Sequence, residues 1–245
     1  MILRFDHIDS TNRVAKDLVA EGTPAGTVVL ATTQSAGRGQ YGRAFDSPQG
    51  GLYFSLVLEP DLPFDQLPLI TLATGLACLT ALRCQFDVAP RIKWPNDLYL
   101  DGKKLAGILC ENVIKPGRAS ATATIIIGVG VNVNNRVQDF AAEVQPVITT
   151  LLEHLHAPIE LDGLLSTLTD AITEQVTRLR YDRIALLTEW QQVDLLCGCP
   201  VTYGRDGLDL VGVGLGITEQ GLYRIRGENG VEHQVIGGQL RPRVA

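Results

Sequence analysis

Residues 91–113 read RIKWPNDLYLDGKKLAGILCENV, and the fold is decided by how this stretch turns back on itself. Asp101-Gly102 is a preferred pair for a two-residue type I′ turn, whose central positions both need positive φ, and the flanking residues alternate as paired strands do. The stretch is therefore predicted to form a β-hairpin. With Leu100 opposite Lys103, Tyr99 falls opposite Lys104, and Asp97 lies diagonally from Lys104 on the same face. A carboxylate and an ammonium thus share one surface of a strand pair.

Working outward, residues 2–8 alternate as a strand. Ser10-Thr11-Asn12 then offers cap residues before the helical stripe Val14, Ala15, Leu18 and Val19, which ends at Gly22. Residues 26–33 and 52–58 read as two further strands, the second continuously apolar, and 66–85 as a helix apolar on most sides, suited to burial against a sheet. Residues 121–134 form another buried strand, whose Gly128 and Gly130 allow a ligand to approach the backbone. Helices are predicted over 145–155 and 161–180, the latter on the stripe Leu161, Leu164, Leu165, Leu168, Ile172, Val176 and Leu179. From about Thr188 the pattern changes to short strand-like pieces (PVTYG, LDLVGVGLGIT, LYRIRG, VEHQVIG, QLRPRV), which suggests a small β-barrel. The expected division is a larger domain over 1–188 and a small one over 189–245.

The 245 residues are 45% hydrophobic and carry a formal charge of −6. Such a chain can bury one sizeable core, and its acidity argues against a surface made for nucleic acid. Neither a leader nor a membrane span is legible, and the five cysteines are odd in number and mostly in apolar surroundings, so a cytoplasmic protein with reduced thiols is expected. Cys197-Gly-Cys199 lacks a second ligand pair that would make it a zinc site.

Histidine chemistry has little support, because the four histidines are scattered and no GxSxG, HExxH, GxxxxGK[ST] or dinucleotide-binding glycine motif occurs. The loop TQSAGRGQYGRAFDSPQGG, residues 33–51, instead sets five glycines and two arginines between apolar strands. Glycine lets successive N–H groups turn toward one ligand, and arginine forks pair with carboxylate or phosphate oxygens. Together with Gln34, Lys93, Lys104, Asn96 and Asn132, and with Asp97 as a lone acid, this inventory suits attack of a carboxylate on a nucleotide phosphorus. That reaction needs charge neutralisation and alignment more than a protein nucleophile.

DSTN at 9–12, TQSAGRGQYGR at 33–43, KWPND at 93–97, GKKLAGIL at 102–109 and GVGVN at 128–132 occur in the order and approximate spacing of one known family. The chain resembles the catalytic and C-terminal domains of the biotin protein ligases. The resemblance implies an α+β fold: a mixed sheet packed with helices, of the class II aminoacyl-tRNA synthetase and biotin–lipoate ligase type, plus a small SH3-like β-barrel. It implies that biotin and MgATP give biotinyl-5′-AMP and pyrophosphate. The acyl group then passes to one lysine of the biotin carboxyl carrier domain of acetyl-CoA carboxylase, in the cytoplasm, with no nucleic acid or membrane partner and with a homodimer as an open option.

By similarity, Ser10, Thr11, Asn12 and Gln34 hold the ureido head of biotin, and Gly37, Arg38, Gly39, Gln40, Lys104 and Gly107 complete its site. Arg38, Gln40, Arg43, Lys93, Asn96 and Asn132 form the ATP side, and Lys104, Arg38, Asp97 and Lys93 carry the chemistry. Asp97 is expected either to orient the acceptor lysine or to organise metal and phosphates, and no metal ligand is assigned. Many relatives have arginine where Gln40 stands and tryptophan where Phe45 stands, so weaker retention of the adenylate is expected. DSTN begins at residue 9, which leaves no room for a preceding helix-turn-helix, so a monofunctional enzyme is expected. A ligase for lipoate or another small acid, and a non-catalytic binding module, are the alternatives.

Overall fold

The computed structural model describes residues 1–113, 123–205 and 208–243. Its larger sheet has seven strands: β1 (Ile2–Ile8), β2 (Val28–Gln34), β3 (Leu52–Leu58), β4 (Arg91–Lys93), β5 (Asp97–Leu100), β6 (Lys103–Val113) and β7 (Thr124–Val131). Their spatial order is β1-β2-β3-β7-β6-β5-β4, parallel only between β1 and β2. Strands β3 and β7 are buried along almost their whole length because both faces are covered. Phe54, Leu56, Ile125, Ile127 and Val129 point to the main core, while Val57 and Ile126 point to the opposite face, against Ala15 and Val19 of α1 (Thr11–Ala20).

On the main face lies α2 (Leu69–Gln85), flanked by α4 (Leu161–Arg178) and α5 (Arg183–Gln192), with the short α3 (Leu151–Leu155) nearby. Twelve of the seventeen α2 residues are buried, which accounts for its lack of a polar face. The α4 stripe expected from the sequence buries Leu164, Leu165, Leu168, Ile172 and Val176.

Two elements differ from expectation. Residues 145–155 are not one helix: a 3₁₀ turn over Gln145–Val147 precedes α3, and extended backbone separates them. There Thr149 N donates to Lys104 O (2.9 Å) and Leu151 N to Asn132 O (3.0 Å), so sheet-like pairing replaces helical bonds. Helix α5 was not anticipated, and it runs through residues 188 and 189, where the composition changes. The first two residues of the strand expected from 121, and the last residue of the QLRPRV piece, lie outside the described residues.

The second sheet comprises β8 (Pro200–Arg205), β9 (Leu208–Ile217), β10 (Tyr223–Gly227), β11 (Glu232–Val235) and β12 (Gln239–Pro242), antiparallel in the order β11-β10-β9-β8-β12. It shares a hydrophobic cluster with the larger sheet. Trp94 donates from Nε1 to Gly221 O (3.1 Å) and lies 5.5 Å from the Tyr223 ring, so the KWPND motif also fastens the two sheets together. Beside it Asp194 is fully buried, accepting from Tyr223 Oη (2.7 Å) and Leu196 N (2.9 Å), and burial raises its carboxyl above the usual aspartate range. Among the described residues no helix is long and apolar enough to cross a membrane.

Candidate active site

The β5–β6 hairpin turns at Asp101 (φ 49°) and Gly102 (φ 77°), with Leu100 opposite Lys103 and Tyr99 opposite Lys104. A bulge between Leu98 and Tyr99 then shifts the register, so that Asp97 faces Gly107. Bulges re-aim side chains, and here Lys104 Nζ comes within 2.6 Å of Asp97 Oδ1 in an ion pair without hydrogen-bond alignment. Lys93, opposite Asp97 on β4, sits 5.5 Å from the Tyr99 ring. Burial pulls its ammonium below the ordinary lysine range, Asp97 opposes that pull, and Lys104, Arg241 and Arg43 reinforce it.

The glycine-rich loop folds over this hairpin. Bridges join Gln34 to Ser47 and Arg38 to Ala44, while Gly39 N donates to Arg43 O (2.7 Å) and Phe45 N to Gly37 O (2.8 Å). The tip is a tight turn at Tyr41 (φ 58°) and Gly42 (φ 72°). Left-handed backbone at a tyrosine costs about 1–2 kcal/mol. From this turn the Tyr41 hydroxyl accepts a hydrogen bond from Gly238 N at 2.5 Å.

Phe45 follows the turn and lies on the sheet, its ring 5.7 Å from Lys104 Nζ. A Cβ on Gly130 would sit 2.4 Å from that ring and one on Gly107 2.9 Å from it, while one on Gly128 would sit 2.1 Å from Asn12 Oδ1. The strand glycines make room for Phe45 and Asn12, and Gly107, Gly128 and Gly130 also line the cleft itself. Gly37 likewise serves the loop: a Cβ there would lie 2.4 Å from Phe45 O, and this residue does not line the cleft.

Ser10, Thr11 and Asn12, all buried, stand at the start of α1. Gln34 Oε1 accepts from Thr11 N (2.8 Å) and Oγ1 (3.2 Å), and Gln34 Nε2 donates to Ser47 Oγ (2.9 Å). Asn12 Oδ1 accepts from Ser55 Oγ (2.6 Å), while its Nδ2 donates to Glu111 Oε2 (2.7 Å) and Leu109 O (3.2 Å). Glu111 also pairs with Lys16. Asn12 is thus held from both ends, which gives the cleft wall a fixed shape; Ser55 and Glu111 were missed by sequence reasoning. Lys16 one turn after Asn12 was the available signal.

One cleft collects Ser10, Thr11, Asn12, Gln34, Arg38, Gly39, Gln40, Arg43, Lys93, Asn96, Asp97, Lys104 and Gly107. Asn96 braces it, donating from Nδ2 to Ile108 O (2.7 Å). Asn132 is not in this cleft but in an adjoining recess with Phe140, Val144 and Ile148. Its Nδ2 donates to Thr149 O (3.0 Å), and its Oδ1 is buried without a partner. Ala44, Phe45 and Lys104 line both cavities, so the Lys104 ammonium stands where they meet. Tyr41 and the segment from Gly238 to Arg241 also line the cleft, and none was anticipated. Among the described residues no group of three or more His, Cys, Asp or Glu side chains is arranged to hold a metal ion.

Residues 4–132 match the biotin/lipoate A/B protein ligase family. The chain belongs to that family. Within it, the biotin–[acetyl-CoA-carboxylase] ligase of Paracoccus denitrificans is 32% identical over 239 residues, covering 93% of this chain and 94% of the relative. The bifunctional ligase/repressor BirA of Escherichia coli is 31% identical over 240 residues, 97% of this chain and 73% of BirA. Among solved structures, the biotin protein ligase from Aquifex aeolicus in complex with biotin and ATP superposes with a TM-score of 0.85 at 28% identity, covering 99% of both chains. That alignment spans both the mixed sheet and the C-terminal antiparallel sheet of this protein.

Proposed function

We propose that this family member is an ATP-dependent biotin–[acetyl-CoA-carboxylase] ligase. It activates biotin to biotinyl-5′-AMP with release of pyrophosphate, then transfers the acyl group to a lysine of a biotin carboxyl carrier domain. The observation that carries this reading is the position of Lys104 at the junction of two cavities, one walled by Ser10, Thr11 and Gln34, the other containing the unpaired Asn132 Oδ1. Relatives named for this activity, and a structure with biotin and ATP bound, support it.

In the first step a carboxylate oxygen forms a bond to the α-phosphorus while the bond to pyrophosphate breaks. Lys104 and Arg38 offset the repulsion between the two approaching anions, and Lys93 and Arg43 draw charge onto the leaving phosphates. The buried polar wall at Ser10, Thr11 and Gln34 suits a ureido group, which would cost several kcal/mol if left unpaired. Asn132 Oδ1 suits the exocyclic amine of adenine, with Phe45 and Phe140 beside it. Mg²⁺ would arrive with the triphosphate, since Asp97 is the one carboxylate among the residues lining the cleft and this ion usually keeps substrate phosphates and waters as ligands.

In the second step the acceptor amine attacks the acyl carbon, the C–O bond to AMP breaks, and the amine's proton is released. Asp97 orients that amine. The loop over residues 35–46 shields the mixed anhydride from water meanwhile. The test is incubation with labelled biotin, MgATP and a carrier domain, with lipoate in parallel. Pyrophosphate release with label on the carrier is expected; transfer of lipoate in preference to biotin, or neither product, refutes the reading.

A further inference from the structure

The tip of the glycine-rich loop and the start of β12 are 197 positions apart in the chain, yet joined by the bond from Gly238 N to Tyr41 Oη. Two observations indicate that this contact is what Tyr41 is for. The residue is 59% exposed, so apolar burial does not hold it there. Its backbone is left-handed next to Gly42, in a turn closed by Arg43 N donating to Gln40 O (3.3 Å), where asparagine or glycine would be the relaxed occupant. An unfavourable conformation at a poorly buried residue calls for a compensating role.

The other side of the contact is packed against the second sheet. Gly238 has φ +96° and rests on Tyr203, whose ring would lie 2.7 Å from a Cβ at that position, so the Gly238 N–H is aimed by packed structure. Three residues further on, Arg241 lines the same cleft as Arg38 and Arg43 of the loop. A single hydroxyl therefore joins the two segments that bring arginines to the cleft.

We propose that Tyr41 is a positioning residue, a latch that couples the glycine-rich loop to the C-terminal sheet so that Arg38, Arg43 and Arg241 enclose the nucleotide phosphates as one unit. This rests on the ligase reading above. The latch is one exposed hydrogen bond, so it opens readily to admit substrates and re-forms to retain the adenylate.

Two variants test it in the full-length protein: Tyr41→Phe removes the hydroxyl and keeps the ring, and Tyr41→Asn relaxes the turn but cannot reach Gly238. In the free protein, amide exchange at Gly238 and across residues 37–45 is expected to accelerate together, about fivefold in both variants, as for loss of one net hydrogen bond. The KM for MgATP and the rate of escape of biotinyl-adenylate rise by a similar factor, with kcat at saturation changed less than twofold. In an Arg43→Ala background, Tyr41→Phe raises KM by a smaller factor than it does in the native protein, because one of the loop arginines that the latch positions is gone. Unchanged exchange at Gly238 in Tyr41→Phe, wild-type kinetics in Tyr41→Asn, or KM effects that simply multiply in the double variant would each overturn the latch. Failure of the wild-type protein to release pyrophosphate would instead overturn the ligase reading, and the exchange comparison on free protein stands apart from it.

Discussion

Lys104 Nζ lies 2.6 Å from Asp97 Oδ1, and the two residues belong to adjacent strands of one hairpin whose bulge brings them together. Both side chains are more than two-thirds buried, so the pair forms a dipole beside the junction of the two cavities, on strands held by backbone pairing. Lys104→Ala is expected to lower the rate of biotinyl-adenylate formation at least a hundredfold, the usual loss when one donor to a developing charge is removed. The far-ultraviolet circular dichroism should be unchanged, and transfer from supplied biotinyl-adenylate should fall much less. Near-normal adenylation would remove Lys104 from the chemistry.

Asn132 presents one bonded and one unbonded end to its recess. Asn132→Ala should raise the KM for MgATP about tenfold, the worth of roughly one buried hydrogen bond, while leaving biotin affinity within twofold. The native protein should prefer ATP to GTP, whose 6-oxo group would face Asn132 Oδ1, and the variant should lose most of that preference. Competition kinetics with the two nucleotides measure both effects.

Gln40 lines the cleft at the loop tip, beside the two arginines. Gln40→Arg adds a full charge there and should slow escape of biotinyl-adenylate severalfold in a filter-binding chase. Equal escape rates would mean that Arg38 and Arg43 already suffice.

Asp194 offers a pH test of stability. Its native carboxyl holds a proton to higher pH than an unfolded aspartate, so the folded state binds more protons, and stability falls as pH rises from the ordinary aspartate range through the native value. In Asp194→Asn the amide keeps an acceptor for Leu196 N and turns a donor toward the Tyr223 hydroxyl, without a charge to desolvate. Urea unfolding between pH 4 and 7 should show the wild-type advantage shrinking with rising pH. A constant difference would mean that the carboxyl is ionised throughout.

Much of the site was readable because its chemistry sits on local structure. Asp101-Gly102 defines its own turn, and two residues either side of it carry the register to Tyr99 and Lys104. The bulge beyond Leu98 was not readable, since nothing in the alternation marks it before the partner strand is known. Contacts across the chain were also out of reach. Tyr41 meeting Gly238, and Trp94 meeting Gly221, depend on how the second sheet docks, which no window of sequence encodes. The same holds for Asn12: the family resemblance implied a ligand contact, but its partners Ser55 and Glu111 arrive from strands 43 and 99 positions away.

Gly107 and Gly130 are cross-strand partners in the middle of the larger sheet, and both lie under the Phe45 ring. Two facing glycines weaken a strand pair, and a redesign for thermostability guided by strand propensity alone would replace them with valine or isoleucine. Such a protein would gain a firmer sheet and lose the hollow over which its loop closes. Heat resistance in this scaffold therefore has to be sought elsewhere, in surface helices such as α4, because the softest pair of residues in the sheet marks the ground that function occupies.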